Sequence, residues 1–203
     1  NETVKQQRAV KAWIAAKHLG LFLGAGSGKT NVAFGAFGEL RKSGRAQRGL
    51  FAVPSAVQGQ FGTEALSYLE PGSMRWWANP GAPREERLAA YRNPDTHAVV
   101  VTHQSLRDDV THMVASHLGL SEDEVATKMR GFDGEGARAP AWSREEMDTH
   151  VKEALQKHGA DGLLDFLAVD EGHAALNRQG KQDSHLARVV DSLGRLSEHA
   201  GFM

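Results

Sequence analysis

The sequence predicts an α/β fold in which a mostly parallel central sheet is flanked by helices. Two patterns predict this class. Five short apolar runs, at 19–24, 49–54, 74–78, 97–103 and 163–170, mostly lack strict alternation, as strands buried on both faces do. Polar, helix-like segments separate the runs, and they are long enough to be crossover connections between parallel strands.

Helical segments account for the rest of the alternating pattern. The expected helices cover 30–42, 55–69, 83–92, 104–118 and 182–199. The chain has 203 residues, of which 40% are hydrophobic, which is enough for one sizeable core. We therefore predict a single domain over 1–203.

Residues 119–160, between the fourth and fifth predicted strands, interrupt the alternation of strands and single helices. Two capping-box patterns, SEDE from Ser121 and SREE from Ser143, each predict the start of a helix. The polar stretch GFDGEGARAPAW between the two helices predicts a mobile loop. We interpret 119–160 as a helical insertion, and a surface elaboration is the role that we expect for it.

Composition excludes several kinds of site and partner. The chain has no cysteine, which rules out disulfides and thiolate metal sites. Its longest apolar runs are far too short to cross a bilayer, and no targeting signal opens it, so we expect a cytoplasmic protein without a membrane partner. A net charge of −1 provides no global basic field, although a groove on a neutral protein can be locally basic and bind DNA.

The stretch LGLFLGAGSGKT ends in a pattern that suits the binding of a nucleotide phosphate. GSGKT follows an apolar strand and precedes a helix, which is the context that a phosphate loop requires. Gly26 and Gly28, on either side of Ser27, would let the backbone turn its amides toward phosphate oxygens. We expect Lys29 to reach the β- and γ-phosphates and Thr30 to offer its hydroxyl to Mg²⁺.

A second motif argues against an incidental glycine-rich turn. The loop departs from GxxxxGK[ST], because Leu23 stands where the first glycine would fall. However, the run LLDFLAVDEGH supplies the acidic pair that an NTPase needs at the end of a later strand. Asp170 is predicted to hold the Mg²⁺ bound to the nucleotide, and Glu171 to orient and deprotonate the attacking water. The two motifs together predict ATP and Mg²⁺ as ligands.

DEGH, from Asp170 to His173, resembles motif II of the superfamily-two helicases and translocases. GLFAVPSAVQGQFGTEAL resembles their motif Ia, and VVVTHQSLRDDV the conserved strand and turn that follow. Asn177 and Arg178 are similar to residues of the Swi/Snf-type branch, and similar arrangements occur in large phage and mobile-element proteins. The resemblance implies the first RecA-like P-loop NTPase lobe of a DNA-dependent, helicase-like translocase in a bacterial or phage-infected cell.

The resemblance also implies roles for particular residues. Gln6 or Gln7 stands where many members carry a glutamine that reads the adenine ring, and the spacing favours Gln6. His173 would couple the nucleotide site to motif III. The turns after the second and fourth strands would contact the DNA backbone without reading sequence, because amides and short polar side chains suit phosphates. The candidate residues for this contact are Ser55, Gln58, Thr102 and His103.

The sequence ends at HAGFM, about where the strand that leads to motif III would begin. By the resemblance, the second RecA-like lobe with its arginine finger would be the partner of this chain. We therefore expect the chain alone to hydrolyse ATP at a negligible rate. The alternative is a non-motor module that binds nucleotide as a switch or serves as an interaction platform. DNA stimulation of ATPase activity in the complete protein separates the two.

Overall fold

A computed structural model describes residues 2–21, 28–61, 74–131, 138–171 and 185–203. Within these ranges six parallel strands form one sheet in the order β1-β6-β5-β2-β4-β3. The strands are β1 His18–Gly20, β2 Gly49–Val53, β3 Trp76–Trp77, β4 Ala98–Thr102, β5 Phe166–Val169 and β6 His199–Phe202.

Helices cover both faces of the sheet, which confirms the predicted α/β class. They are α1 Glu2–Ala16, α2 Lys29–Lys42, α3 Arg84–Arg92, α4 His103–Leu118, α5 Glu122–Arg130, α6 Arg144–Lys157 and α7 His185–Leu196. Two 3₁₀ helices lie at Ser55–Val57 and Asp161–Asp165. Of the described helices, none combines the length and the apolar character needed to cross a bilayer.

An aromatic cluster packs α1 and α2 onto one face of the sheet. Phe51 of β2 and Phe166 of β5 point toward these helices, and both are fully buried. Their rings meet Phe34 at a centroid distance of 4.7 Å and Trp13 at 5.1 Å, within the favourable range for aromatic pairs. The adjacent strand residues, such as Leu50, face the opposite helical layer. Burial on both faces explains why the β2 run is apolar without alternation.

Helices α3 to α7 cover the other face, and the predicted insertion belongs to this layer. The capping boxes at Ser121 and Ser143 are both formed, as expected. The apolar residues of α5 and α6, among them Val125, Met129 and Met147, are buried in the main core with residues of α4 and α7. The two helices therefore complete a core layer, which corrects the surface role that we expected. Part of the loop between them, 132–137, lies outside the described residues.

Helix α1 is absent from the expected helices, because its buried stripe is narrow. Among the α1 residues whose burial the structure describes, only Trp13 is fully buried, while Val10 and Ile14 are half-buried beside it. Trp13 packs directly on the backbone of β6, since a Cβ at Gly201 would overlap its indole ring. A glycine at 201 is what allows α1 to approach the sheet this closely. The strand expected to begin at HAGFM is present as β6, and it lies between β1 and β5.

A buried carboxylate fixes α4, which begins at the edge of the sheet where the candidate residues lie. Asp109 is fully buried and accepts hydrogen bonds from Arg87 Nε and Nη2, at 2.7 and 2.6 Å. The hydroxyl of Tyr91 donates to the same carboxylate at 2.8 Å. Because all these partners lie on α3, the network locks α4 to α3 and leaves the buried charge compensated.

His185, the first residue of α7, is a largely buried neutral histidine. Its Nε2 lies 2.9 Å from Thr111 Oγ1 and 3.3 Å from Met129 Sδ. The Thr111 hydroxyl donates its proton to Arg107 O at 2.7 Å, so it must accept from an Nε2–H of His185. Burial lowers the pKa of His185 to about 4, and the charges of Arg107 and Arg130 act in the same direction.

We expect the free energy of unfolding to decrease as the pH falls from about 6.5 toward 4. In this window the unfolded chain binds a proton that folded His185 does not, so stability rises with pH. The difference between the pKa of about 4 in the folded chain and the ordinary value of 6.5 implies that His185 lowers the free energy of unfolding by about 3 kcal/mol over this window. Urea unfolding across this range should show a weaker pH dependence for His185→Gln than for wild type. The control, His18→Gln, replaces an exposed histidine, and equal slopes for His185→Gln and wild type would contradict the assignment.

Candidate nucleotide site

The candidate residues meet at one edge of the sheet. Because the strands are parallel, their carboxyl ends lie along the same edge, which is where ligands bind in open α/β sheets. Leu21 follows β1, Pro54 follows β2, His103 follows β4 and Asp170 follows β5. Helix α1 runs back from this edge, so that Gln6 in its second turn lies there too.

Gly28, the residue before α2, has the left-handed backbone conformation that favours glycine, with φ 74°. A Cβ at this position would overlap Gln6 Nε2 and would lie 3.2 Å from Asn31 Nδ2. The amide group of Gln6 therefore packs directly against the backbone of the candidate phosphate loop. Gln7, by contrast, is exposed. Of the two glutamines, the structure brings Gln6 to the loop.

Lys29 and Thr30 are the first two residues of α2, and both are partly exposed. The start of this 14-residue helix presents the positive end of the helix dipole, and the Gly28 N-cap supplies no side chain to it. Its first turn carries no acidic side chain, so an anion bound there meets no like charge from it. Gly26 and Ser27, the other predicted loop residues, lie outside the described residues.

Asp170 is held by two backbone contacts at the end of β5. Its N–H donates to Ala52 O at 2.9 Å, and its Oδ1 accepts from the N–H of Glu171 at 3.0 Å. Burial raises the pKa of Asp170 above its usual value, while the nearby Lys29 ammonium acts in the opposite direction. The effect of the Lys29 charge on this carboxyl indicates that Lys29 and Asp170 border one common space.

Glu171 is exposed beside Asp170, on a turn with unusual backbone geometry. Its φ of 48° falls in the left-handed region, which non-glycine residues rarely adopt. Such conformations cost energy and are concentrated at functional sites. The two carboxylates therefore differ in environment: Asp170 is half-buried and hydrogen-bonded to the backbone, whereas Glu171 is exposed. His173 lies outside the described residues.

Thr30 and Asp170 supply hydroxyl and carboxylate oxygens, which are the ligands that Mg²⁺ prefers. Among the described residues, no group of three or more histidine or acidic side chains is arranged to hold a metal ion. This donor set fits an ion held by one or two protein oxygens together with substrate phosphates, and it does not form an all-protein cage.

The residues predicted to contact DNA have different environments. Ser55 is exposed at the start of the 3₁₀ helix after β2. Gln58, however, is only 4% exposed, and its Nε2 donates to Val100 O at 3.2 Å. The Gln58 side chain therefore holds the turn to β4 and is not placed to reach a DNA backbone. Thr102 caps α4, because the N–H of Ser105 donates to its Oγ1 at 3.0 Å.

His103 faces the acidic pair, a contact that the sequence did not indicate. Its half-buried ring lies beside the backbone of Ala52 and Asp170. Burial lowers the pKa of His103, while the two backbone groups and the charges of Asp170 and Glu171 act in the opposite direction. No sequence signal could locate this contact, because β4 and β5 are far apart in the chain and are separated by β2 in the sheet.

The six parallel strands with helices on both faces form a RecA-like α/β fold. The SWI2/SNF2 ATPase core of Sulfolobus solfataricus, solved in complex with dsDNA, is similar with a TM-score of 0.54 and 15% identity. The match covers 98% of this chain and 30% of that one, so the chain spans less than a third of that protein's length. At this identity the likeness shows the fold. No protein-family model and no curated protein matches the sequence.

Gly28→Ala should destabilise the ligand-free protein by about 1–2 kcal/mol through the left-handed backbone alone, and more through the overlap with Gln6. Removing that side chain in a Gln6→Ala/Gly28→Ala double variant should recover part of the loss. Gly38→Ala is the matched control within α2, because a Cβ there meets nothing within 4 Å. That control should gain about 0.5–1 kcal/mol. Chemical denaturation measures these variants together with wild type and Gln6→Ala, and strictly additive effects of the two single substitutions would show that Gln6 does not pack on Gly28.

Proposed function

We propose that this chain is the ATP-binding lobe of a DNA-dependent ATPase of the helicase or translocase type. The observation that carries the proposal is that Lys29, at the start of α2, lies near enough to Asp170, at the end of β5, for its charge to lower the pKa of that carboxyl. Phosphoryl transfer from ATP requires a helix N-terminus and a lysine to bind the phosphates, and a carboxylate at the end of a strand to bind the metal ion. All three border the same space in this fold.

In this proposal each residue has a separate task in binding ATP. The first turn of α2 and Lys29 hold the β- and γ-phosphates, and Gln6 contacts the adenine ring beside the loop. Thr30 and Asp170 hold Mg²⁺, which when bound neutralises charge on the phosphate oxygens. The packing of Gln6 on Gly28 supports this arrangement, since it places an amide group next to the phosphate loop.

The two carboxylates of the acidic pair divide the remaining chemistry. Asp170, half-buried and held by the N–H of Glu171, is suited to a fixed role at the metal. Glu171, exposed on its strained turn, is suited to orient a water molecule and accept its proton. The water oxygen bonds to the γ-phosphorus as the bond to the β–γ bridging oxygen breaks, which leaves ADP and phosphate.

The proposal assigns DNA to the turns that follow β2 and β4, on the same edge of the sheet. Ser55 is exposed on one turn, and the N-terminal end of α4, which has no acidic residue in its first turn, lies on the other, which suits phosphates. Efficient hydrolysis would require a second RecA-like lobe, because an arginine finger contributes about 10³–10⁵ to the rate. DNA-stimulated ATP hydrolysis by the complete protein tests the motor, whereas ATP binding that DNA does not affect would favour a nucleotide switch.

Lys29→Ala should weaken ATP binding at least about tenfold while leaving the ligand-free melting temperature unchanged. The side chain is partly exposed, so its loss removes a charge-assisted contact and no core packing. The control is Lys42→Ala, at the other end of α2, where the ammonium pairs with Glu39 at 3.5 Å. Isothermal titration with Mg²⁺-ATP and thermal unfolding measure both effects. An unfolded Lys29→Ala protein would show that the residue is structural.

Glu171→Gln and Asp170→Asn should separate the two acidic roles in the complete protein. Glu171→Gln keeps the size of the side chain but cannot readily take a proton, so ATP should stay bound while turnover falls by about 10²–10⁴. Asp170→Asn should weaken Mg²⁺-ATP binding as well as turnover. Single-turnover hydrolysis and ATP affinity measure the difference. Near wild-type hydrolysis by Glu171→Gln would show that Glu171 is not the base.

A further inference from the structure

The His103 side chain spans the ends of three neighbouring strands. The residue directly follows β4, and its ring lies beside Ala52 of β2 and Asp170 of β5. Because β2 lies between β4 and β5, the ring passes over the end of β2 to reach the acidic pair. It thereby connects the turn assigned to DNA with the carboxylates assigned to ATP hydrolysis.

The backbone that carries His103 is tied to the turn after β4. Thr102 caps the first turn of α4 through the N–H of Ser105, and the Thr102 hydroxyl donates to Ser105 Oγ at 2.9 Å. Less than two turns further along, Asp109 locks the same helix to α3. A shift of the β4 turn therefore moves the His103 ring with it, since the turn and the start of α4 form one rigid unit.

The turn that the ring approaches depends on its surroundings. Glu171 is held in a left-handed conformation that persists only where neighbouring groups maintain it, so a shift of those groups changes its orientation. The Nε2 atom of His103 is buried and has no hydrogen-bond partner among the described residues. Other histidines also have buried nitrogens without partners. His103 differs from them because it lies at the carboxyl edge beside Asp170.

We propose that His103 is a positioning residue that couples a DNA backbone bound at the β4 turn to the acidic pair Asp170 and Glu171. This inference rests on the proposed function. A phosphate drawn to the start of α4 shifts the first turn of that helix, and the imidazole transmits the shift to Asp170 and to the strained turn behind it. Bound DNA thus favours the arrangement of the acidic pair that binds Mg²⁺-ATP.

The test measures the affinity of the full chain for a non-hydrolysable ATP analogue with Mg²⁺, with and without a saturating DNA duplex. In wild type, DNA should raise the affinity at least about fivefold, which is the lower end of ordinary coupling between sites. His103→Leu should reduce this ratio to about 1, while its affinity without DNA changes less than about threefold. His103→Gln should restore part of the ratio, because its amide keeps a polar side chain able to reach Asp170.

Gln104→Ala is the matched control, since Gln104 is the exposed neighbour on the same helical turn and should keep the wild-type ratio. A wild-type ratio in His103→Leu would overturn the inference while leaving the proposed function intact. An equal loss of affinity with and without DNA would also overturn it, because that pattern indicates a merely structural role. Absence of ATP binding by wild type would overturn the proposed function, and the inference with it.

Discussion

The parallel register of β5, β2 and β4 is the constraint on which the rest of the site depends. Ala52 pairs with Val169, and Val53 pairs with Thr102, so these strands end at nearly the same level. The residues that follow them, among them Asp170, emerge side by side along one edge. Backbone hydrogen bonding in the sheet therefore sets the distances between the candidate residues. Their side chains lie close enough to border the same space.

Helix α1 links the packing of the sheet to the candidate phosphate loop. Near its end, Trp13 packs on the backbone at Gly201 and so holds α1 against β6. Near its start, Gln6 packs on Gly28 in the same way. Both contacts require a glycine, because a Cβ at either position would occupy the space of the α1 side chain. The helix is thereby fixed at both ends, and the glutamine is presented to the loop as a consequence of core packing.

Strain and uncompensated charge are concentrated at the carboxyl edge. Asp109, deep between α3 and α4, is fully buried but has three hydrogen-bond donors on its carboxylate. Asp170 is half-buried, and burial raises its pKa, while the N–H of Glu171 and the charge of Lys29 act in the opposite direction. Beside it, Glu171 adopts a left-handed conformation. Groups left in this state are typical of sites that complete their interactions with a ligand.

The sequence by itself determined the elements whose signals are local: strands buried on both faces, capping boxes such as that at Ser121, and the order of GSGKT and DEGH. Only the tertiary structure decided the strand order, the core role of α5 and α6, and the directions of particular side chains. Gln58 turns inward to β4, and His103 turns across β2 to Asp170. The physical reason is that a side chain at a strand end takes its direction from neighbouring strands. Those neighbours are distant in the chain, and no local pattern specifies which strands they are.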